Sequence, residues 1–240
     1  FTATSGPGIS LMSEFLGLAY FAELPLLLFN IQRGGPSTGM PTRTQQSDII
    51  ACAYASHGDT KHVLLFPSDP TECFDFAVQG FDLAERLQTP VIVMSDLDLG
   101  MNEWTTKPFK IDETMGFDRG KVLNAEQLDE VERFGRYLDV DGDGIPYRTY
   151  PGTHPEKGAF FTRGTSHDEY AGYTEDGTVN ARVMLRLSHK FNTAKTLVPA
   201  PEFGQKTQGA TMGLIHFGTT AVSVPEAMGM LADSQIHLDT

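Results

Sequence analysis

The feature that most constrains the fold is the alternation of short apolar runs with helical segments over the first hundred residues. Strands are predicted at residues 2–4, 26–31, 63–66 and 91–94, and helices at 9–22, 49–56 and 69–88. Strands and helices that alternate at this spacing are typical of a parallel α/β sheet. Leu26–Ile31 is apolar except at Asn30, which indicates a strand covered on both faces. Because the helix predicted at 9–22 is apolar on most sides, we expect it to be buried.

Two polar, glycine-containing segments each follow a predicted strand. Residues 5–8 follow the first strand, and residues 32–48 follow the second. Since binding loops of parallel sheets lie at the carboxyl ends of the strands, we expect both segments on the same rim. We interpret residues 32–48, which are rich in Gly, Pro, Ser and Thr, as a long irregular loop of the kind that often carries function.

The pattern changes after about residue 105. We divide the chain into a domain at 1–107, an extended connector at 108–208 that wraps a neighbour, and the start of another α/β domain at 209–240. The connector contains an amphipathic helix predicted at 180–195. The last part predicts a buried strand at 211–218, a helix at 224–232 and a second strand from Ile236. Since the chain opens at Phe1 and ends within a predicted strand, we interpret it as a piece of a longer polypeptide.

Charge and cysteine content exclude several classes of protein. Lys and Arg number 18 against 31 Asp and Glu, so the net charge of −13 repels a phosphate backbone and excludes nucleic acid as a partner. Two cysteines are too few for a disulfide framework or for an iron–sulfur cluster held by four Cys of this chain. The longest apolar run, at residues 24–29, is too short for a membrane span. The excess of acidic over basic residues suits a cytoplasmic protein.

Candidate binding residues lie in the two rim segments. In the first, glycines and a helix N-terminus offer backbone N–H groups to a polar or anionic ligand, although a plain tight turn explains the same residues. In the second, Arg33 and Arg43 have the guanidinium fork that binds carboxylates. Either arginine alone reads as a solvated surface residue, but two within one Gly/Pro loop of an acidic chain favour a binding role.

Asp139, Asp141 and Asp143 stand at the first ligand positions of an EF-hand-type calcium loop. The twelfth position is Tyr150 instead of the bidentate Glu, so a plain Asp/Gly turn is the favoured interpretation. These three aspartates therefore remain weak metal candidates. A non-catalytic, calcium-dependent interaction module built around them is an alternative function.

Residues 4–14 (TSGPGISLMSE) and 32–42 (QRGGPSTGMPT) together closely resemble the α subunit of 2-oxoacid:ferredoxin oxidoreductases, and most of all the 2-oxoglutarate type. The resemblance covers nearly the whole chain. It extends to His57-Gly58-Asp59 and to residues 90–96, 139–144 and 161–167. The first motif alone also occurs in acetolactate-synthase-like thiamine enzymes, so another thiamine-dependent decarboxylase is a second alternative.

The resemblance implies an oxidoreductase of a hetero-oligomer, in which this chain is a fragment of the α subunit and inactive alone. The family decarboxylates a 2-oxo acid with coenzyme A, here 2-oxoglutarate to succinyl-CoA, and passes electrons to ferredoxin. Its α subunit contributes a parallel-sheet thiamine-diphosphate pyrimidine-binding domain and then a transketolase-C-terminal-like domain. Its β subunit supplies the diphosphate and Mg²⁺ site and a 4Fe–4S cluster, which fits the low cysteine count here. The glutamate that pairs with the pyrimidine is expected upstream of Phe1.

The resemblance also implies roles for named residues. Five residues line the aminopyrimidine side of the cofactor pocket: Thr4, Ser5, Gly6, Pro7 and Gly8. Arg43 is expected to bind the C1 carboxylate of the substrate, with Arg33 as the second candidate or as a brace for the loop. A second carboxylate, as in 2-oxoglutarate, needs another cation or donor, for which His57 and Lys61 are weak candidates.

Overall fold

The computed structural model describes residues 1–111, 114, 116–204 and 206–240. The predicted connector is therefore described except at four positions. The strands are β1 (Thr2–Thr4), β2 (Leu26–Gly34), β3 (Met40–Thr44), β4 (Val63–Leu65), β5 (Pro90–Asp96), β6 (Met212–Gly213) and β7 (Leu238–Asp239). The helices are α1 (Gly8–Phe21), α2 (Ile49–Ala53), α3 (Pro70–Leu87), α4 (Leu97–Met101), α5 (Ala125–Glu130), α6 (Gly177–Ala194) and α7 (Thr220–Asp233).

The main sheet has the strand order β1-β2-β5-β4, and every pair along it is parallel. Leu28 of β2 lies between Thr2 of β1 and Ile92 of β5. The parallel α/β sheet predicted from the alternating pattern is thus confirmed. All four parallel strands end at one edge of the sheet, which we name the carboxyl edge.

Helices cover both faces of this sheet. On one face, α3 packs Leu83, Ala84 and Leu87 against a buried cluster that includes Leu27 and Val91. Asp69 begins α3 by accepting a hydrogen bond from the backbone N–H of Glu72 at 2.9 Å. On the other face, α1 and α2 pack residues such as Ile9, Leu16 and Cys52 against Leu28, Ile92 and Met94.

The outer side of α1 is not buried, which corrects the expectation for this helix. Leu11 is 87% exposed and Phe15 is 69% exposed. Since a helix on a sheet contacts it with a single face, the apolar residues on the far side of α1 remain open to solvent. This side of the helix is therefore an apolar surface.

Residues 32–48 form a hairpin instead of an irregular loop. Strand β2 continues through Gly34, and β3 returns antiparallel to it, with Arg33 opposite Thr44 and Gly34 opposite Met40. Gly39 has φ +54°, and a Cβ there would lie 2.0 Å from the carbonyl oxygen of Gly34. Only glycine fits this reversal of the chain. Gly39, which composition alone assigned to a loop, therefore closes a tight turn between two strands.

The segment predicted as a connector packs against the chain's own sheet. Ile145 and Ala194 belong to the same cluster as the α3 side of the sheet, and Val183 and Leu187 of α6 pack with Tyr20 of α1. Helix α6 confirms the amphipathic helix predicted at 180–195. That this segment also wraps a neighbouring chain, and the boundaries at 107 and 208, stay predictions.

The last part of the chain forms the predicted strand–helix–strand unit, in which β6 and β7 pair in parallel. The prediction of a buried strand at 211–218 is wrong, because β6 has only two residues and Ile215 is 96% exposed. In the described chain this pair is a separate two-stranded sheet, too small to enclose an apolar strand. Among the described residues, no helix combines the length and apolar character that crossing a membrane requires.

Candidate functional site

The carboxyl edge brings together the turn at 5–8, the base of the β2–β3 hairpin and the start of α4. A Cβ on Gly6 would lie 3.3 Å from Arg33 Cγ and 3.8 Å from Asp48 Oδ2. The two polar segments that were expected on one rim are therefore in contact there. The φ of +34° at Gly6 also favours glycine at this close approach.

The turn at 5–8 uses its own backbone donors. The N–H groups of Gly8, Ile9 and Ser10 donate to the carbonyls of Ser5, Gly6 and Pro7 at 2.8, 3.1 and 3.2 Å. The expectation that this helix N-terminus offers free N–H groups to an anion is wrong for these three amides. What the turn presents is a surface of small residues rather than a set of anion donors.

A polar cluster beneath the turn fixes the returning leg of the hairpin. Asn30 Nδ2 donates to Asp48 Oδ2 at 3.0 Å and to Cys52 Sγ at 3.4 Å, and Asp48 N–H donates to Gln32 Oε1 at 3.3 Å. Burial raises the pKa of the Cys52 thiol to about 12, so it stays protonated. This thiol is a structural group and not a nucleophile.

The structure places both candidate arginines on the hairpin. Arg33 is half-buried at the end of β2, and its Nε is enclosed without a hydrogen-bond partner among the described residues. Arg43 lies on β3, all five residues of which are exposed. Neither guanidinium forms an ion pair within the described part of the chain, so both are available for a carboxylate from outside it.

His57 and Lys61 lie at the opposite edge of the sheet. They belong to the loop that precedes β4, and parallel strands begin at the edge away from the carboxyl edge. There they line a cavity of 680 Å³ with Tyr20 and Met184. The structure does not bring them to the two arginines.

A lysine occupies the aspartate loop at 139–144. Lys121 Nζ lies 2.7 Å from Asp141 Oδ2 and 2.8 Å from Asp143 Oδ1, and its hydrogen bond lowers the pKa of Asp141. Asp139 accepts hydrogen bonds from the N–H groups of Gly142 and Gly144, each at 2.9 Å. Across the described ranges, no three His, Cys, Asp or Glu side chains gather as metal ligands, so nothing here supports the calcium interpretation.

Sequence reasoning missed two polar residues at the carboxyl edge. Asp96 ends β5 and caps α4 by accepting from the N–H groups of Asp98 and Leu99 at 3.0 and 3.2 Å. Its other oxygen accepts from Thr219 Oγ1 at 2.6 Å and from Gln46 Nε2 at 3.2 Å. An aspartate soon after the predicted buried strand at 91–94 was a sequence signal for Asp96. Nothing in the sequence indicates that Gln46 contacts residue 219.

Comparison with known proteins places this arrangement in a family. Residues 1–176 match the family model described as pyruvate flavodoxin/ferredoxin oxidoreductase, thiamine diP-bdg. The chain is 35% identical over 239 residues to the α subunit of 2-oxoacid:ferredoxin oxidoreductase 2 of Aeropyrum pernix. The matched region covers 98% of this chain and 36% of that relative. It is 34% identical over 237 residues to the 2-oxoglutarate synthase subunit KorA of Methanothermobacter marburgensis, with 95% of this chain and 58% of the relative covered.

A solved structure is also similar to this fold. It is described as 2-oxoglutarate:ferredoxin oxidoreductase from Magnetococcus marinus with 2-oxoglutarate, coenzyme A and succinyl-CoA bound. The two chains have a TM-score of 0.86 and 32% identity over 99% of this chain and 40% of the other. The present chain thus spans between about a third and three-fifths of the length of these three proteins. With a family model that matches residues 1–176, the chain belongs to the thiamine-diphosphate-binding family of pyruvate flavodoxin/ferredoxin oxidoreductases.

Proposed function

We propose that this chain is the pyrimidine-binding part of the α subunit of a 2-oxoacid:ferredoxin oxidoreductase. The complete enzyme oxidatively decarboxylates a 2-oxo acid with coenzyme A and passes the electrons to ferredoxin. The observation that carries the proposal is the contact between the 5–8 turn and Arg33, the first of two hairpin arginines that form no ion pair with the described residues. This geometry puts the turn, which suits a flat neutral ring, next to the arginines, which suit a carboxylate.

The residues of the turn fit the pyrimidine end of thiamine diphosphate better than its diphosphate end. Gly6 and Gly8 carry no side chain, and the amides of Gly8, Ile9 and Ser10 already donate within the turn. A diphosphate with Mg²⁺ needs several oxygen ligands and free donors, so we assign that end to a β subunit that also carries a 4Fe–4S cluster. When bound, the cofactor supplies the carbon nucleophile and the electron sink for decarboxylation.

The arginines determine which substrate the site accepts. A charge-assisted hydrogen bond from a guanidinium to a carboxylate contributes about 1.5–3 kcal/mol. We assign the C1 carboxylate to Arg43 and give Arg33 the second carboxylate or the bracing of the hairpin. Two guanidinium groups suit a dicarboxylate, and relatives bear the name 2-oxoglutarate synthase. On this basis we propose 2-oxoglutarate as the substrate and succinyl-CoA as the product.

The exposed side of α1 supports a partner chain beside the turn. Leu11 and Phe15 are four residues apart and therefore share one side of the helix. Exposed apolar residues that adjoin one another form the kind of patch at which proteins contact partners. We propose that the β subunit covers them, which would close the cofactor site from this side. Two free cysteines suit the reducing cytoplasm as the location of the enzyme.

Viologen reduction by the complete α subunit, co-purified with its partners, tests the proposal. The assay compares 2-oxoglutarate with pyruvate, each with and without coenzyme A. Reduction that requires both coenzyme A and 2-oxoglutarate is the expected result. Reduction with pyruvate alone would overturn the substrate assignment. Decarboxylation to an aldehyde without viologen reduction would instead identify a thiamine-dependent decarboxylase that does not use ferredoxin.

A further inference from the structure

Gln46 forms hydrogen bonds at both ends of its side-chain amide. Its Nε2 lies 3.2 Å from Asp96 Oδ2, 3.4 Å from the carbonyl oxygen of Phe217 and 3.4 Å from Thr219 Oγ1. Its Oε1 accepts a hydrogen bond from Thr220 Oγ1 at 3.0 Å. Three of these four partners belong to residues 217–220, which lead into α7. One side chain of the hairpin thus contacts a segment more than 170 positions away.

Asp96 holds this set of contacts in a fixed place. It is 2% exposed, and its two oxygens are shared between the first turn of α4 and the pair Gln46 and Thr219. A buried carboxylate that accepts several hydrogen bonds has little freedom to turn. We name Gln46, Asp96, Thr219 and Thr220 the Gln46 cluster.

Residues 217–220 also pack closely against Gln46. Gly218 has φ +59°, and a Cβ there would lie 2.9 Å from Gln46 Nε2. The ring of Phe217 packs on Phe66 with centroids 5.0 Å apart, at the end of β4. The segment therefore lies against the carboxyl edge through both polar and apolar contacts.

The Gln46 cluster is a second anchor of the returning leg of the hairpin, beside the contacts of Asp48 with Asn30 and Gln32. Within the described chain, β3 pairs with β2 at one edge, and its five residues are exposed. Gln46 stands two residues after the end of β3 and three after Arg43. An anchor at this distance limits where the Arg43 side chain can reach.

We propose that Gln46, held by Asp96 and Thr219, is a positioning residue that fixes Arg43 for the carboxylate of the substrate. The inference rests on the proposed function, in which Arg43 binds that carboxylate. It also makes residues 217–220 part of substrate recognition, although they do not touch the substrate. Misplacing a binding group by about 1 Å costs an enzyme up to about 100-fold in kcat/KM, so loss of the anchor is large enough to measure.

The test uses Gln46 variants of the complete enzyme with its partners. Gln46→Ala is expected to raise KM for the 2-oxo acid about tenfold, with kcat within twofold of wild type, because ground-state positioning of the substrate is lost. KM for coenzyme A is expected to stay unchanged. Gln79→Ala, at an exposed glutamine of α3, is the matched control and is expected to behave as wild type.

A pair of substitutions separates positioning from general damage. Gln46→Glu sets one carboxylate against the carboxylate of Asp96 and is expected to raise KM more than Gln46→Ala. Adding Asp96→Asn restores a donor between the two residues and keeps the oxygen that caps α4, so KM is expected to recover most of the way. A double variant no better than Gln46→Glu would overturn the proposal, as would a Gln46→Ala enzyme that loses kcat at unchanged KM.

Hydrogen exchange of the hairpin amides gives a readout that does not need activity. Faster exchange at residues 40–46 in Gln46→Ala, with α3 unchanged, supports the anchor, and identical exchange overturns it. A wild-type enzyme that reduces viologen with none of the 2-oxo acids would refute the proposed function. Faster hairpin exchange in that case would still show that the Gln46 cluster holds the hairpin.

Discussion

The ammonium group of Lys190 on α6 lies 2.5 Å from Oε2 of Glu23, a residue that follows the end of α1. Both side chains are buried. Arg186 holds the other oxygen of the same carboxylate at 2.5 Å, and Arg136 donates to the backbone carbonyl of Glu23 at 2.8 Å. One buried carboxylate thus joins α6 to the end of α1. Burial by itself raises the pKa of Glu23, but Lys190 and Arg186 lower it to about 2.

Replacing Glu23 with glutamine is expected to destabilise the protein strongly. The substitution leaves the cations of Lys190 and Arg186 buried without their counter-charge, and breaking a buried pair in this way costs about 3–5 kcal/mol. Urea unfolding at neutral pH measures the change. Glu14→Gln, at an exposed position of α1, is the control and is expected to change the free energy of unfolding by no more than about 0.5 kcal/mol. Equal effects of the two substitutions would contradict the role of Glu23.

Glu23 also predicts how stability depends on pH. Its pKa is about 2 in the folded state and near 4.5 in the unfolded state, so the unfolded state binds more protons between these values. The stability that Glu23 contributes is present above pH 4.5 and is lost as the pH falls toward 2. Comparing wild type with Glu23→Gln between pH 6 and pH 3 isolates this group, because glutamine does not titrate. The difference between the two is expected to shrink with acid, and a constant difference would count against the assignment.

Two leucines of α6 test how this helix packs. Leu187 is 1% exposed and contacts Val183 and Tyr20, whereas Leu185 is 71% exposed. Leu187→Ala is expected to cost about 2–5 kcal/mol, since it leaves a cavity in the core. Leu185→Ala is expected to stay within about 0.5 kcal/mol of wild type. Chemical denaturation of both variants measures the contrast, and similar losses would mean that α6 packs with another face.

Arg43 carries the most direct functional prediction. Arg43→Ala in the complete enzyme is expected to lower kcat/KM for every 2-oxo acid by about 10–100-fold, the loss of one charge-assisted hydrogen bond of about 1.5–3 kcal/mol. Arg33→Ala is expected to affect 2-oxoglutarate more than pyruvate if Arg33 holds the second carboxylate. Arg182→Ala, which removes an exposed arginine paired with Glu169, is the control. An unchanged kcat/KM in Arg43→Ala would refute its role.

Calcium is expected to leave the melting temperature unchanged. Lys121 places its ammonium group between Asp141 and Asp143, where a cation of the loop would lie, and Asp139 is engaged by backbone N–H groups. A ligand that binds the folded state raises its stability in proportion to the logarithm of ligand concentration, so a thermal melt at millimolar calcium is a sensitive test. A clear rise would revive the calcium-dependent module as a function.

The four parallel strands and helices α1 to α3 could be predicted because their signals are local. The apolar run at Leu26–Ile31 identifies a strand, and Asp69 before Pro70 identifies the start of a helix. The same local reasoning placed the 5–8 turn and Arg33 on one edge, since parallel strands end together. It was wrong for α1 because the number of apolar residues in a helix does not show how many of its sides the rest of the fold covers.

The sequence by itself determined the parallel strands, the helices α1 to α3 between them and the family of the chain, because strand length, helix caps and short motifs are written in neighbouring residues. Only the tertiary structure decided that residues 32–48 form a hairpin, that His57 lies at the far edge, and that Gln46 meets Thr219. It also decided that Glu23 and Lys190 form one buried pair. The physical reason is that packing of the whole chain sets these contacts. Gln46 and Thr219 are 173 positions apart, and β2 and β3, although close in sequence, pair in a register that residue composition does not encode.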